Sequence, residues 1–244
     1  TAILSLAMVV VLFAGCSNSF GDAAPSGVPE SAAPSSAAGT DSAKKTKVTV
    51  GLADNVNTLT PIYKISVYTC PVVGSVCEYL GQWVDTEFTG VLMKNWEEID
   101  DVTYKVELYD YITDSEGNAF TTEDVEYCIQ RAQEGGITYA KYVESMDIED
   151  DYNFTLHLTK AEVGYFEDFC QNVWMYTKEA MEASTDDMAT DPVGTGPYVL
   201  VDYASSSHIL FEKRDDYWQK EELIPRCSQA NVDVIEFVII KEAA

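Results

Sequence analysis

A chain of 244 residues with 46% hydrophobic and 11% aromatic side chains is long enough to form one or two domains with a buried core. Its 41 acidic side chains against 15 basic ones leave a formal net charge of −26. That surplus of acid excludes a nucleic-acid binder, which grips phosphates with Lys and Arg, and disfavours adhesion to anionic lipid, so any membrane attachment requires a dedicated anchor.

Residues 2–14, AILSLAMVVVLFA, form an uncharged apolar run. It is shorter than the ~20 residues that cross a bilayer core and suits the apolar region of a signal peptide. The Leu-Phe-Ala-Gly-Cys run ending at Cys16 resembles a bacterial lipoprotein lipobox, with Phe13 where Leu is usual. Cleavage before Cys16 and lipidation of its thiol are therefore expected. Residues 1–15 then read as a signal peptide with a truncated start. Of residues 17–43, 20 of 27 are Ser, Ala, Gly or Pro, a composition that cannot pack a core. Residues 16–46 are thus expected to be the lipidated Cys and a disordered tether spanning roughly 30 Å.

The remaining cysteines, Cys70, Cys77, Cys128, Cys170 and Cys227, are widely spaced and contain no CxxC. That spacing matches neither a zinc site nor a disulfide-dense scaffold. Most are expected to act as small buried hydrophobes; Cys70 and Cys77 can pair only if the backbone brings them close.

Lys47 to Ala53, KVTVGLA, reads as the opening strand, followed by a loop, DNVNTLTPIY. Pro71 fits a first helical turn, and Val72, Val73, Val76, Cys77 and Leu80 then share a face at helical spacing, predicting a core helix that ends at Gly81. Thr103 to Leu108 reads as a short strand, and DSEGN at 114–118 as a turn. Thr121 and Asp124 have capping-box spacing, Val125, Cys128, Ile129 and Ala132 form an inward stripe, and Gly135-Gly136 stops the helix. Residues 152–158 alternate so that Tyr152, Phe154, Leu156 and Leu158 share the inward face and His157 points outward. A helical segment is expected from Tyr165 to Met181, then strands after Pro197, from Ser207 to Glu212 and from Val232 to Ile240.

The run Gly194-Thr195-Gly196-Pro197-Tyr198 lacks the third, helix-opening glycine of a dinucleotide fingerprint. It reads as a structural motif, in which both glycines permit a turn that a side chain would obstruct and Pro197 stiffens the strand that follows. Catalysis finds no support. His157 and His208 lie in strand-like sequence without HExxH, and GxSxG is absent. The acid runs Glu97, Glu98, Asp100, Asp101 and Asp147, Glu149, Asp150, Asp151 lack EF-hand spacing and read as solvated loops. No enzyme, no metal site and no cofactor is expected.

The order LMKNWEEIDDVTYKVEL, DSEGNAFTTEDVEYCIQRA, DPVGTGPYVLVDY and FEKRDDYW resembles family 5 of the bacterial extracellular solute-binding proteins, which serve oligopeptide and dipeptide ABC importers. The resemblance covers residues 47 to about 244, and Pro-Val-Gly-Thr-Gly-Pro-Tyr is its most specific part. Thr60, where the first loop often reads Leu-Asp-Pro, and Asp215, in place of Asn, depart from the pattern.

The resemblance implies an α/β fold of the periplasmic-binding-protein type II clamshell class with a mixed sheet. It also implies an incomplete clamshell, one lobe plus an inserted domain, because family members are about twice as long. Residues 47–66 and 190–244 would form domain I and residues 67–189 an inserted domain II. The implied function is capture of peptides outside the cytoplasmic membrane and delivery to an ABC permease and its ATPase, with the lipid anchor as the only membrane contact. Asn55, Asn57, Thr58 and Tyr63 in the first loop are the candidate ligand contacts, although turn formation and loop solvation account for each of them better. A binder of oligosaccharide or a nickel complex, a lipid-anchored sensor and an exported hydrolase are the alternatives.

Overall fold

The computed structural model describes residues 45–63, 66–220 and 230–240. Cys16, the lipobox, the tether up to residue 44 and Cys227 lie outside them.

The chain opens with β1 (Lys47–Leu52), passes through the expected loop and reaches the single turn α1 (Cys70–Val73). A hairpin follows, β2 (Gly81–Val84) and β3 (Glu87–Gly90), then β4 (Met93–Asp100) and β5 (Thr103–Leu108). Next come α2 (Thr122–Glu134), a 3-10 turn at Thr138–Ala140, β6 (Val143–Ile148) and β7 (Asn153–Leu158). Two short helices, α3 (Tyr165–Asn172) and α4 (Lys178–Ala183), precede β8 (Tyr198–Ala204), β9 (His208–Lys213) and β10 (Val234–Ile239).

These strands build three sheets in the order β1-β10-β9-β8, β2-β3 and β4-β5-β7-β6. Strand β1 runs parallel to β10, with Lys47 opposite Val234, while the other pairings are antiparallel. A strand near the start of the described chain thus shares a mixed sheet with strands near its end.

Each larger sheet has its own core. Val106, Phe154 and Leu156 bury one face of β4-β5-β7-β6 against Val125 and Cys128 of α2 and Phe166 and Phe169 of α3. Leu52, Ile209, Phe211 and Phe237 form the second core with Val72, Val73, Val76, Cys77 and Trp174. Helix α2 starts where its capping box places it. The Asp124 carboxylate accepts the Thr121 amide at 2.6 Å and also the Lys178 amide at 2.7 Å, so it secures the start of α4 as well. All four residues of the inward stripe are buried, and Gly136, at φ +74°, takes the left-handed conformation just beyond the helix.

Three expectations are corrected. The acid runs read as solvated loops lie partly on strands, Glu97, Glu98 and Asp100 in β4 and Asp147 in β6, where solvent-facing positions tolerate charge. The helix expected through Leu80 ends at Val73, and Gly81 opens a strand instead of closing a helix. Beyond Gly74 the backbone turns its carbonyls outward to other segments, Val76 O to the Gly196 amide at 2.7 Å and Glu78 O to the Met175 amide at 2.9 Å. The five apolar positions are all buried, but Leu80 enters the first core while Val72, Val73, Val76 and Cys77 enter the second. Helical spacing and a chain crossing between two cores bury the same residues here. The segment Tyr165 to Met181 likewise divides, because Val173 is extended and Met175 bonds to Glu78, leaving separate helices on either side.

Candidate functional site

The segment 74–79 lies where three others converge. From one side Gly196 and Tyr198 donate their amides to Val76 O and Ser75 O, at 2.7 and 3.2 Å. The backbone of Gly194 and Gly196 passes so close that a Cβ on Gly196 would lie 2.5 Å from Val76 O, and one on Gly194 would collide with the same carbonyl. Neither glycine has positive φ; close backbone approach excludes a side chain.

The turn 114–118 joins the junction through the glycine motif, its Ser115 amide donating to Gly194 O at 3.0 Å. Asp114 Oδ1 accepts the amides of Glu116 and Asn118, both at 2.9 Å, and Oδ2 accepts the Thr177 hydroxyl at 2.5 Å. Gly117 supplies the left-handed residue at φ +87°.

The third segment is the one after β9. Arg214, 4% exposed, donates from its Nη2 to Asp114 O at 2.7 Å and from its Nη1 to the carbonyls of Thr113, Gly194 and Gly196 at 3.3–3.4 Å. Its Nε donates to Asp216 at 3.1 Å. One planar guanidinium therefore ties the turn to the glycine motif. Beside it, Glu78 accepts the Tyr217 hydroxyl at 2.5 Å and the Trp218 indole N–H at 3.0 Å.

Burial pushes the Glu78 carboxyl up to about 7, against those two hydrogen bonds and the Arg214 charge, which favour its ionised form. The ordinary value is 4.5, so the folded chain holds this proton more tightly than the unfolded one. Stability contributed by Glu78 is therefore full below about 4.5, falls as pH rises to about 7 and is flat above it. The loss should be on the order of 3 kcal/mol. Asp124, also raised by burial, adds a slope of the same sign. Urea unfolding of the wild type and Glu78→Gln at pH 5 and pH 8 separates the two groups, and equal pH slopes would remove Glu78 as the source.

Two clefts flank this junction. The larger, about 570 Å³, is lined by Ser75, Glu78, Gln82, Tyr198 and Asn231 among others. The smaller, about 310 Å³, is lined by Tyr63, Tyr139, Asn172 and Tyr176 among others. Cys70, Tyr79 and Trp174 belong to both. Tyr79 and Trp174 stack with ring centroids 3.9 Å apart and planes 17° from parallel, giving the clefts a common aromatic wall.

Of the first-loop candidates, Tyr63 lines the smaller cleft and is 50% exposed. Asn55, Asn57 and Thr58 line neither cleft. Asn55 and Asn57 are exposed, and the half-buried Thr58 accepts the Thr60 amide at 3.2 Å. The loop is held instead at Val56, whose carbonyl accepts the Tyr203 hydroxyl at 2.7 Å, and at Leu59, whose amide reaches Ala189 O at 2.9 Å.

His157 pairs with Asp147 and His208 with Asp202 on exposed strand faces, outside both clefts. Cys70, Cys77, Cys128 and Cys170 are free thiols, the last three buried. Glu78, Arg214 and the Tyr79–Trp174 wall were not anticipated. Glu78 had a visible signal, an acid among the apolar residues Val76, Cys77, Tyr79 and Leu80, whereas the aromatic wall joins residues nearly 100 positions apart.

Residues 87–244 match a family model described as bacterial extracellular solute-binding proteins, family 5 Middle. The nickel-binding protein NikA of Staphylococcus aureus (strain NCTC 8325 / PS 47) is 27% identical over 130 residues, which are 52% of this chain and 26% of that protein. The structure of OppA from Burkholderia pseudomallei superposes with a TM-score of 0.71 at 18% identity, over 82% of this chain and 43% of the other. AgaA from A. tumefaciens R10, solved in complex with agropinic acid, gives 0.70 at 17% identity, over 80% of this chain and 40% of the other. The shared architecture is the mixed α/β fold of type II periplasmic binding proteins. This chain spans about two fifths of the length of these solved relatives.

Proposed function

This chain belongs to family 5 of the bacterial extracellular solute-binding proteins, and on that premise we propose that it captures a small solute outside the cytoplasm and presents it to the permease and ATPase of an ABC importer. It works by binding and release, not by breaking bonds. The observation that carries this reading is the family match over residues 87–244, and the paired clefts at the junction of the two cores give it a place to act.

A peptide is the solute this reading favours. Main-chain groups can be held by polar side chains and bridging water without reading sequence, and Asn231 lines the larger cleft, where the Ser75 hydroxyl is already donated to Pro71 O at 3.0 Å. Tyr63 is the first-loop residue retained as a contact, because Asn55, Asn57 and Thr58 line neither cleft. Division into domain I (47–66 and 190–244) and an inserted domain II (67–189) is supported by the pairing of β1 with β10. A nickel complex is the second reading, favoured by similarity to NikA; a chelate brings its own ligands and asks the protein for shape and polar contacts. Calorimetric titration of the full-length gene product with di- to hexapeptides, a nickel–histidine complex and oligosaccharides tests the assignment. Saturable heat with peptides supports it, and saturation by the nickel complex alone would replace it.

The same reading places the protein on the outer face of the cytoplasmic membrane, held through Cys16. Two or three acyl chains hold a protein firmly where one holds it marginally. Metabolic labelling with a palmitate analogue should mark the wild type and spare Cys16→Ser; equal labelling of both would remove the anchor.

A further inference from the structure

In a chain whose residues are 23% charged, the clefts are unusually neutral. Glu78 is the single acidic or basic residue in the described lining of the larger cleft, and the described lining of the smaller one has none. Glu78 is itself 6% exposed and committed to Tyr217 and Trp218. The smaller cleft is lined by Tyr63, Tyr79, Tyr139, Trp174 and Tyr176, of which Tyr63 and Tyr139 are exposed and Tyr176 is buried. Its volume, about 310 Å³, lies at the lower end of ligand pockets and fits one ring system, not an extended chain.

Resting on the solute-capture reading, we infer that the smaller cleft is the specificity pocket and takes an uncharged aromatic side chain of the bound peptide. The polar groups of the larger cleft lie across the Tyr79–Trp174 wall, so the peptide main chain occupies the larger cleft while its side chain enters the smaller one. A ring in the pocket stacks edge or face against those aromatics and replaces water on apolar surface. A Lys or Glu side chain would surrender its hydration and meet no opposite charge among the described lining residues. Its long-range attraction or repulsion by the −26 net charge acts on the rate of arrival and is screened by salt.

The test uses the full-length gene product and Ala-X-Ala tripeptides with X as Phe, Leu, Lys or Glu, titrated calorimetrically at physiological salt. The Phe peptide should bind at least tenfold more tightly than the Lys or Glu peptide. Tyr139→Ala, at a position 40% exposed and so tolerant of truncation, should weaken the Phe peptide several-fold more than it weakens Ala-Ala-Ala. Equal affinity for Phe, Lys and Glu peptides, or equal weakening of every peptide by Tyr139→Ala, overturns the inference. A parallel arm follows N-acetyl-tryptophanamide against N-acetyl-lysinamide by saturation-transfer NMR. If no peptide binds but the tryptophan amide alone saturates and Tyr139→Ala weakens it, peptide capture falls and the aromatic pocket stands; if neither amide nor any peptide binds, both fall.

Discussion

Gly196→Val is expected to lower the stability of the fold by ~3 kcal/mol, which for a domain of about 200 residues corresponds to a drop of roughly 6–12 °C in Tm. Two effects combine. A Cβ at this position would sit 2.5 Å from Val76 O and 3.0 Å from Ser75 O, so the two backbones have to separate. Separation then weakens the Gly196 amide bond to Val76 O, now 2.7 Å. Backbone carbonyls cannot rotate aside as a flexible side chain would. Gly117→Ala is the control, since a Cβ there meets nothing within 4 Å and acts only through its φ of +87°; it should lower stability by ~1 kcal/mol. Thermal melting followed by circular dichroism distinguishes the two, and a Gly196→Val protein melting with the wild type would mean that the junction yields freely.

The second large effect is expected at Arg214. Arg214→Leu should lower stability by ~3–5 kcal/mol, because it leaves buried carbonyls on two segments without their charged donor. Gly194 O keeps the Ser115 amide at 3.0 Å and Asp114 O keeps the Gly117 amide at 3.2 Å, which limits the loss. Arg214→Lys should fall between leucine and wild type. An ammonium carries its donors on one nitrogen and cannot span the turn and the glycine motif as the guanidinium does. Chemical denaturation measures all three proteins, and a lysine variant as stable as the wild type would reduce Arg214 to a simple buried charge.

How much of this was legible in the sequence varies with the distance over which the signal acts. Helix α2 was readable because its capping box and its apolar stripe are local, and β7 because Phe154, Leu156 and Leu158 alternate strictly. Strands β4 and β6 escaped notice because each carries a run of exposed positions, Glu97-Glu98-Ile99-Asp100 and Asp147-Ile148 among them, where a half-buried strand would alternate. The β2–β3 hairpin turns on Asp85 at φ +56°, a conformation more usual for Gly or Asn. The run 71–80 was misread because tertiary bonds at Val76 and Glu78 overrode a helical pattern that fits the same buried positions. In the site, the glycine motif announced close packing, whereas what it packs against, Val76 O, lies nearly 120 residues earlier. The clefts were invisible for the same reason: Tyr63, Tyr79, Tyr139 and Trp174 meet only after the chain has folded.

The pairing of β1 with β10 also sets an order of events during synthesis. Thr46 and Asp233, hydrogen-bonded at the end of that pairing, are 187 residues apart. Until β10 has been made, β1 has no strand beside it, while the hairpin β8–β9 can close on its own through local contacts. Closing so long a loop is slow relative to local structure. The mixed sheet is therefore the last part of the described chain able to assemble, since its parallel pair waits for β10, whereas the β4-β5-β7-β6 sheet has all of its strands by Leu158.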